Sequence, residues 1–252
     1  MTKEQILARL QEHLQYFLDD FQSEYIGIFL YGSQNYGLAD ENSDIDSHII
    51  FLPPEEDRER ALSLERDLPD NERLSIYPLK AFYNGLMRGR GTLLEILYTE
   101  YYIINPKYQE WWNWLIEHRE EIAHITEINW YRDIFSRTKD NMYRMVENMQ
   151  LDSGMSEQLG YAQKPRYRCM LLAAMLEKYV NGAPYMDVLH PVEEYELLMK
   201  VKQGLCSQEE ADKYAEEAVE KMNQLFADYS PAPDNLQLQR QLYKHFNKLL
   251  RE

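Results

Sequence analysis

Tyr31-Gly-Ser-Gln-Asn-Tyr-Gly-Leu-Ala-Asp-Glu-Asn-Ser-Asp-Ile-Asp46 is the one stretch of this 252-residue chain in which glycine, hydroxyl and carboxylate converge. Before it, Tyr25 to Tyr31 is aromatic and β-branched enough for a buried strand; after it, Asp44 to Leu52 alternates as a second strand until Pro53-Pro54 breaks it. A strand that ends in Gly32-Ser33 lets the backbone turn sharply and approach a ligand, and its exposed amides with the Ser33 hydroxyl suit phosphate oxygens. Side chains alternate along a strand, so Asp44 and Asp46 are expected on one face. Two neighbouring carboxylates repel when both are ionised, and a divalent cation, Mg2+ or Mn2+, stabilises both charges. His48 shares that face by alternation, but one histidine without other ligands seldom defines a metal site, and a structural role is expected for it. A Gly-Ser turn or an Asp-x-Asp pair alone is commonplace; the two joined by a short turn-rich connector are specific.

Outward from this stretch, Ile6, Leu10, Leu14, Phe17 and Phe21 recur at helical spacing. They predict an amphipathic helix over residues 3 to 22, opened by a Thr2–Gln5 capping box. Charged residues 55 to 67 suggest a surface helix, and Leu74 to Tyr77 a short strand. Pro78 suits the first turn of a helix to about Arg88. This order predicts an α/β (α+β) fold with a small mixed sheet. Past Asn105 no convincing strand remains and helical patterns fill the chain, punctuated at Gly154, Gly160, Gly182, Gly204 and Pro231. A Ser207–Glu210 capping box opens a long helix carrying Ala211, Ala215, Val219, Met222 and Phe226. Two domains are expected, 1–105 with the sheet and 106–252 all-helical. Trp111, Trp112 and Trp114 are read as core. Glu95, in an otherwise apolar stretch, needs a partner: either a structural ion pair or a supporting place beside the site. Gly89-Arg-Gly-Thr92 lacks the ending of a phosphate-binding loop and is read as a plain turn.

The Gly-Ser turn followed by an Asp-x-Asp strand resembles the signature of the DNA polymerase beta nucleotidyltransferase superfamily. Tyr31-Gly-Ser-Gln-Asn-Tyr-Gly-Leu with Ser43-Asp-Ile-Asp, then Leu79-Lys-Ala-Phe82, Gly89-Arg-Gly91 and Leu94-Glu-Ile-Leu97, is similar to the branch of bacterial and phage nucleotidyltransferases associated with RNA ligases. That resemblance implies transfer of a nucleoside monophosphate from a nucleoside triphosphate, ATP being the expected one, to an acceptor hydroxyl, with Mg2+ or Mn2+ held by Asp44 and Asp46. It implies phosphate contacts from Gly32 and Ser33, with Ser43 beside the aspartate strand. The family carries a third carboxylate on a later strand. Here Arg73 stands at the expected place, so adjacent Glu72 or nearby Asp70 is the candidate third catalytic acid, although alternation puts Glu72 on the face opposite Arg73 unless a bulge intervenes. Lys164, in Ala162-Gln-Lys-Pro-Arg-Tyr-Arg168, resembles the family's Lys-centred helix start and lies in the densest basic cluster of the chain, which suits a triphosphate. Arg73 also favours an alternative, a catalytically inactive nucleotide- or partner-binding module of regulatory or antitoxin-like kind.

Lys and Arg total 27 against 43 Asp and Glu, a net charge of −16. Such a surface repels phosphate backbones, which argues against duplex nucleic acid and leaves a small molecule, a protein side chain or a short RNA end as acceptor. The longest apolar stretch, Cys169 to Leu176, falls well short of the roughly 20 residues that cross a bilayer, so no membrane partner is expected. No export signal is visible, and two cysteines without a CxxC pair fit a reducing cytoplasm.

Overall fold

The computed structural model describes residues 1–21, 23–40, 43–59, 61–148 and 163–251. The turn marks at Gly154 and Gly160, and Ala162 of the basic segment, lie outside the described residues. The chain forms two compact units, residues 1–129 with 233–252, and residues 130–232.

The first unit is built on a five-stranded sheet in the order β3-β4-β2-β1-β5, with β1 Glu24–Tyr31, β2 Asp46–Leu52, β3 Leu64–Asp67, β4 Arg73–Pro78 and β5 Tyr102–Ile104. β1 runs antiparallel to β2 and β5, β2 parallel to β4, and β3 antiparallel to β4. The mixed sheet with helices is the expected α+β class. Helix α1, Lys3–Asp20, opens on the expected box: Thr2 N–H donates to Gln5 Oε1 at 2.8 Å and Gln5 N–H to Thr2 Oγ1 at 3.3 Å. Its stripe Ile6, Leu10, Leu14 and Phe17 packs with Ile28, Leu30, Ile45, Ile49, Leu74 and Ile76 into one core on one sheet face. The opposite face is covered by α2, Leu79–Met87, and α4, Gln109–Glu117; the Phe29 and Trp112 rings lie 4.6 Å apart. Between α2 and α4 lie α3, Gly91–Leu94, and a single turn, Glu95–Leu97; α5 is Arg119–Ala123 and α6 Glu127–Asn148.

Two sequence expectations need correction, and one strand carried no signal. Residues 55–67 are not a surface helix: a single turn at Glu55–Asp57 is followed by the edge strand β3. All four β3 residues are exposed, so no alternation betrays the strand, and its charges guard a sheet edge. β5 lies before residue 105 but is only three residues long, too short to carry a pattern. Finally, the first unit does not end at residue 105. Trp112 packs on the sheet, and the last helix returns to this unit, with Phe246 5.8 Å from Phe82 and 5.0 Å from Trp111 between ring centres.

The second unit is helical in its described residues, with α7 Gln163–Val180, α8 Tyr185–Leu189, α9 Tyr195–Lys202 and α10 Gln208–Asp228. Trp130 stacks on Tyr179 at 3.9 Å, and α10 begins with the expected Ser207–Glu210 box. Helix α11, Leu236–Leu250, belongs to the first unit.

Candidate active site

The register of β1 on β2 brings Tyr31 opposite Asp46, so the two ends of the connecting loop meet at the carboxylate. Gly32 follows with φ +93°, a conformation costly for any residue with a Cβ. A Cβ placed on Gly32 would stand 3.9 Å from Asp46 Oδ2. The glycine corner and this acid are therefore neighbours. Asp46 Oδ1 accepts from the Arg73 amide at 2.9 Å, which fixes the carboxylate across β2 and β4.

The ladder starts at Asp46, two residues later than the alternating sequence suggests. Ile45, 1% exposed, is packed in the α1 core, and its neighbours Asp44, just before β2, and Asp46, its first residue, are half-buried. Among the described residues no three His, Cys, Asp or Glu side chains group as metal ligands. Two hard carboxylates nevertheless suit Mg2+, which is commonly held by one or two carboxylates together with substrate phosphates and water.

Ser33 is half-buried at the corner, and its carbonyl accepts from Leu38 N–H at 3.0 Å. Ser43 braces the turn before the aspartates: its Oγ accepts from Asp40 N–H at 2.9 Å and donates to Asp40 Oδ1 at 3.0 Å. Its hydroxyl thus ties this turn together through Asp40.

Glu72 does not join the aspartates. It is 7% exposed, and its Oε2 accepts from Arg9 Nε at 2.6 Å and from His13 Nε2 at 2.8 Å. His13 in turn meets Ser47 Oγ at 2.8 Å through Nδ1. Ser47 alternates with Asp46, so the network lies on the α1 face of the sheet while Asp46 lies on the other. Alternation along the chain entering β4 is the cause: Arg73 pairs beside Asp46 and sends Glu72 through to α1. Asp70 is likewise tied to Arg9, at 2.7 Å. Burial lowers the His13 pKa against the pull of Glu72. The neutral ring then carries its proton on Nε2 towards the carboxylate, and Nδ1 accepts from Ser47 O–H. Burial also works against the Arg9 charge, but the hydrogen bonds to Glu72 and Glu12 prevail and raise its pKa. Nothing in the sequence reading singled out His13; its signal was a histidine inside the apolar stripe of α1.

Arg73 itself is exposed and reaches Asp67 at 3.3 Å and Glu65 at 3.5 Å on β3. His48, 2% exposed, stacks on Tyr31 at 4.2 Å and meets the Tyr77 ring edge-on at 5.1 Å. Burial pushes its pKa down to about 3, and its Nδ1 has no hydrogen-bond partner. Lys164 is exposed in the first turn of α7 of the second unit, while Arg166, two residues on, is buried and holds Asp212 at 2.6 Å. Arg166 is a structural cation and no part of an open basic cluster.

Glu95, 1% exposed, accepts from Gly32 N–H at 3.3 Å, from Asn35 Nδ2 at 2.9 Å and from the Tyr36 hydroxyl at 2.5 Å. Of the two places the sequence left open for it, the structure supports the one beside the site.

The first unit is thus an α+β domain with a mixed sheet, whose first two strands are joined through a positive-φ glycine and whose returning strand starts at an aspartate. Residues 10–129 match the family described as nucleotidyltransferase domain, which supports the DNA polymerase beta-like nucleotidyltransferase superfamily for this part of the chain. No curated protein matches the chain in sequence. The family generally uses a nucleoside triphosphate and a divalent metal. Among the described residues no helix is long and apolar enough to cross a membrane.

Proposed function

We propose that the protein transfers a nucleoside monophosphate from a triphosphate, ATP first among them, to an acceptor hydroxyl in the cytoplasm. The observation that carries this reading is the placing of the positive-φ Gly32 corner beside Asp46, whose Oδ2 would stand 3.9 Å from a Cβ built on the glycine. Asp44 and Asp46 hold a divalent cation, Mg2+ or Mn2+. When bound, the cation offsets triphosphate charge and lowers the barrier to attack by the acceptor hydroxyl. Ser33 donates to the β- and γ-phosphates, because the Gly32 amide is engaged by Glu95. Arg73 holds Asp46 Oδ1 through its amide, so Oδ2 is the oxygen presented to the corner. The acceptor oxygen bonds to the α-phosphorus as the bond to the leaving pyrophosphate breaks in line with it. Lys164 is offered as a further charge for the triphosphate. The net charge of −16 supports a small molecule, a protein side chain or a short RNA end as acceptor over duplex nucleic acid.

The test is pyrophosphate release from labelled triphosphates with Mg2+ or Mn2+. Asp46→Ala should lower the rate by about a hundredfold or more; a variant that keeps full metal-dependent transfer overturns the assignment. A second reading, a nucleotide-binding module without catalysis, is favoured by Arg73 beside Asp46 and by the withdrawal of Glu72 into the α1 face. It predicts triphosphate binding by the wild type with no pyrophosphate released.

A further inference from the structure

Glu95 lies in the single turn after α3, about sixty residues beyond the loop it touches. Burying a carboxylate is costly unless hydrogen bonds meet its charge. Here a backbone amide, a side-chain amide and a phenol from Gly32, Asn35 and Tyr36 all do so. Donors on three residues of one five-residue stretch converge on a single carboxylate in one loop conformation. Two turn bonds complete it, Asn35 N–H to Gly32 O at 2.9 Å and Leu38 N–H to Ser33 O at 3.0 Å. Gly32 is therefore set between two acids: its amide donates to Glu95, while a Cβ built on it would stand 3.9 Å from Asp46.

We infer that Glu95 is the positioning residue of the Gly32-Ser33 corner: it holds Gly32 at φ +93° and so aims Ser33 at a triphosphate that Glu95 itself does not touch. The ligand in this statement rests on the proposed function; the hold on the loop does not. An ionised carboxylate is an acceptor only and matches three donors. Alanine offers none of this, whereas glutamine offers an oxygen to Gly32 and Asn35 and an amide to the Tyr36 oxygen.

Two measurements on the full chain test it: hydrogen exchange of the Gly32–Leu38 amides without ligand, and binding of a fluorescent, non-hydrolysable ATP analogue with Mg2+. In Glu95→Ala the loop amides should exchange about tenfold faster while those of β2 do not change, and the analogue should bind about tenfold more weakly, the loss of about one hydrogen bond to a charged group. Glu95→Gln should restore both, which a loss of folding would not allow. Tyr36→Phe removes one donor and should shift both in the same direction; it serves in place of the alanine variant if that chain does not fold. Unchanged loop exchange in both variants overturns the inference whatever the ligand does. Faster exchange with unaltered analogue binding overturns its link to phosphate. Should the wild type bind no analogue, the nucleotide reading falls and the exchange data alone decide the role of Glu95.

Discussion

Replacing Glu72 by alanine separates a structural acid from a metal-binding one. Its Oε2 accepts two hydrogen bonds, from Arg9 at 2.6 Å and from His13 at 2.8 Å, and His13 is fully buried. In Glu72→Ala the His13 Nε2–H loses its acceptor in a dry setting, which costs about 1–3 kcal/mol. Arg9 is 23% exposed and keeps Glu12 and Asp70, so its share is smaller, about 1 kcal/mol after solvent screening. The sum, about 2–4 kcal/mol, approaches the usual loss on breaking a buried pair. For a unit of this size it lowers the melting temperature by about 5–15 °C. Urea unfolding followed by tryptophan fluorescence reads the stability, and Mn2+ titration calorimetry of the same protein reads the site. The expected result is a destabilised protein that binds Mn2+ as the wild type does. Unchanged stability with lost Mn2+ binding would return Glu72 to the metal and refute the network.

Gly32→Ala should cost about 1–2 kcal/mol of stability because its φ of +93° disfavours a Cβ, and should raise the KM for triphosphate; an alanine variant with wild-type stability and KM removes the corner from the site. Burial lowers the pKa of His245 from 6.5 to about 4, so the unfolded chain takes up a proton that the folded protein refuses. Its contribution is present above pH 6.5 and fades as pH falls towards 4, about 3 kcal/mol in all; His245→Gln should flatten that part of the pH–stability curve, and a curve of unchanged slope contradicts it. Lys164→Ala should raise the KM for triphosphate about threefold to tenfold with kcat nearly unaltered, the mark of lost uniform binding, and a purely kcat effect would exclude a simple charge contact.

The parts of the fold that were legible in sequence are local. The Thr2–Gln5 and Ser207–Glu210 boxes form as spaced, since a cap depends on residues three apart. The Gly32 corner and the aspartate strand were legible because a positive-φ turn and a two-residue period leave residue-type marks. β3 was not, because an exposed edge strand has no buried side to alternate with. The return of α11 was not, because Phe246 against Phe82 and Trp111 is a contact between distant segments. At the site, Glu95 stood out as an acid among apolar residues, but its bonds to Asn35 and Tyr36 are tertiary contacts that the sequence does not mark. Glu72 could have served as a third ligand only through a bulge before Arg73, and plain alternation entering β4 sends it to Arg9 and His13 instead.

The closing helix of the first unit is made only after the whole of the second unit. Residues 1–129 leave the ribosome without α11, and about a hundred residues of the second unit follow before Pro233 appears. At common rates of synthesis this leaves Phe82 and Trp111 without their Phe246 cover for roughly 5–20 s. During that interval the nascent protein shows an unsealed aromatic surface, a natural landing place for chaperones, and a stop codon anywhere before α11 would make the condition permanent.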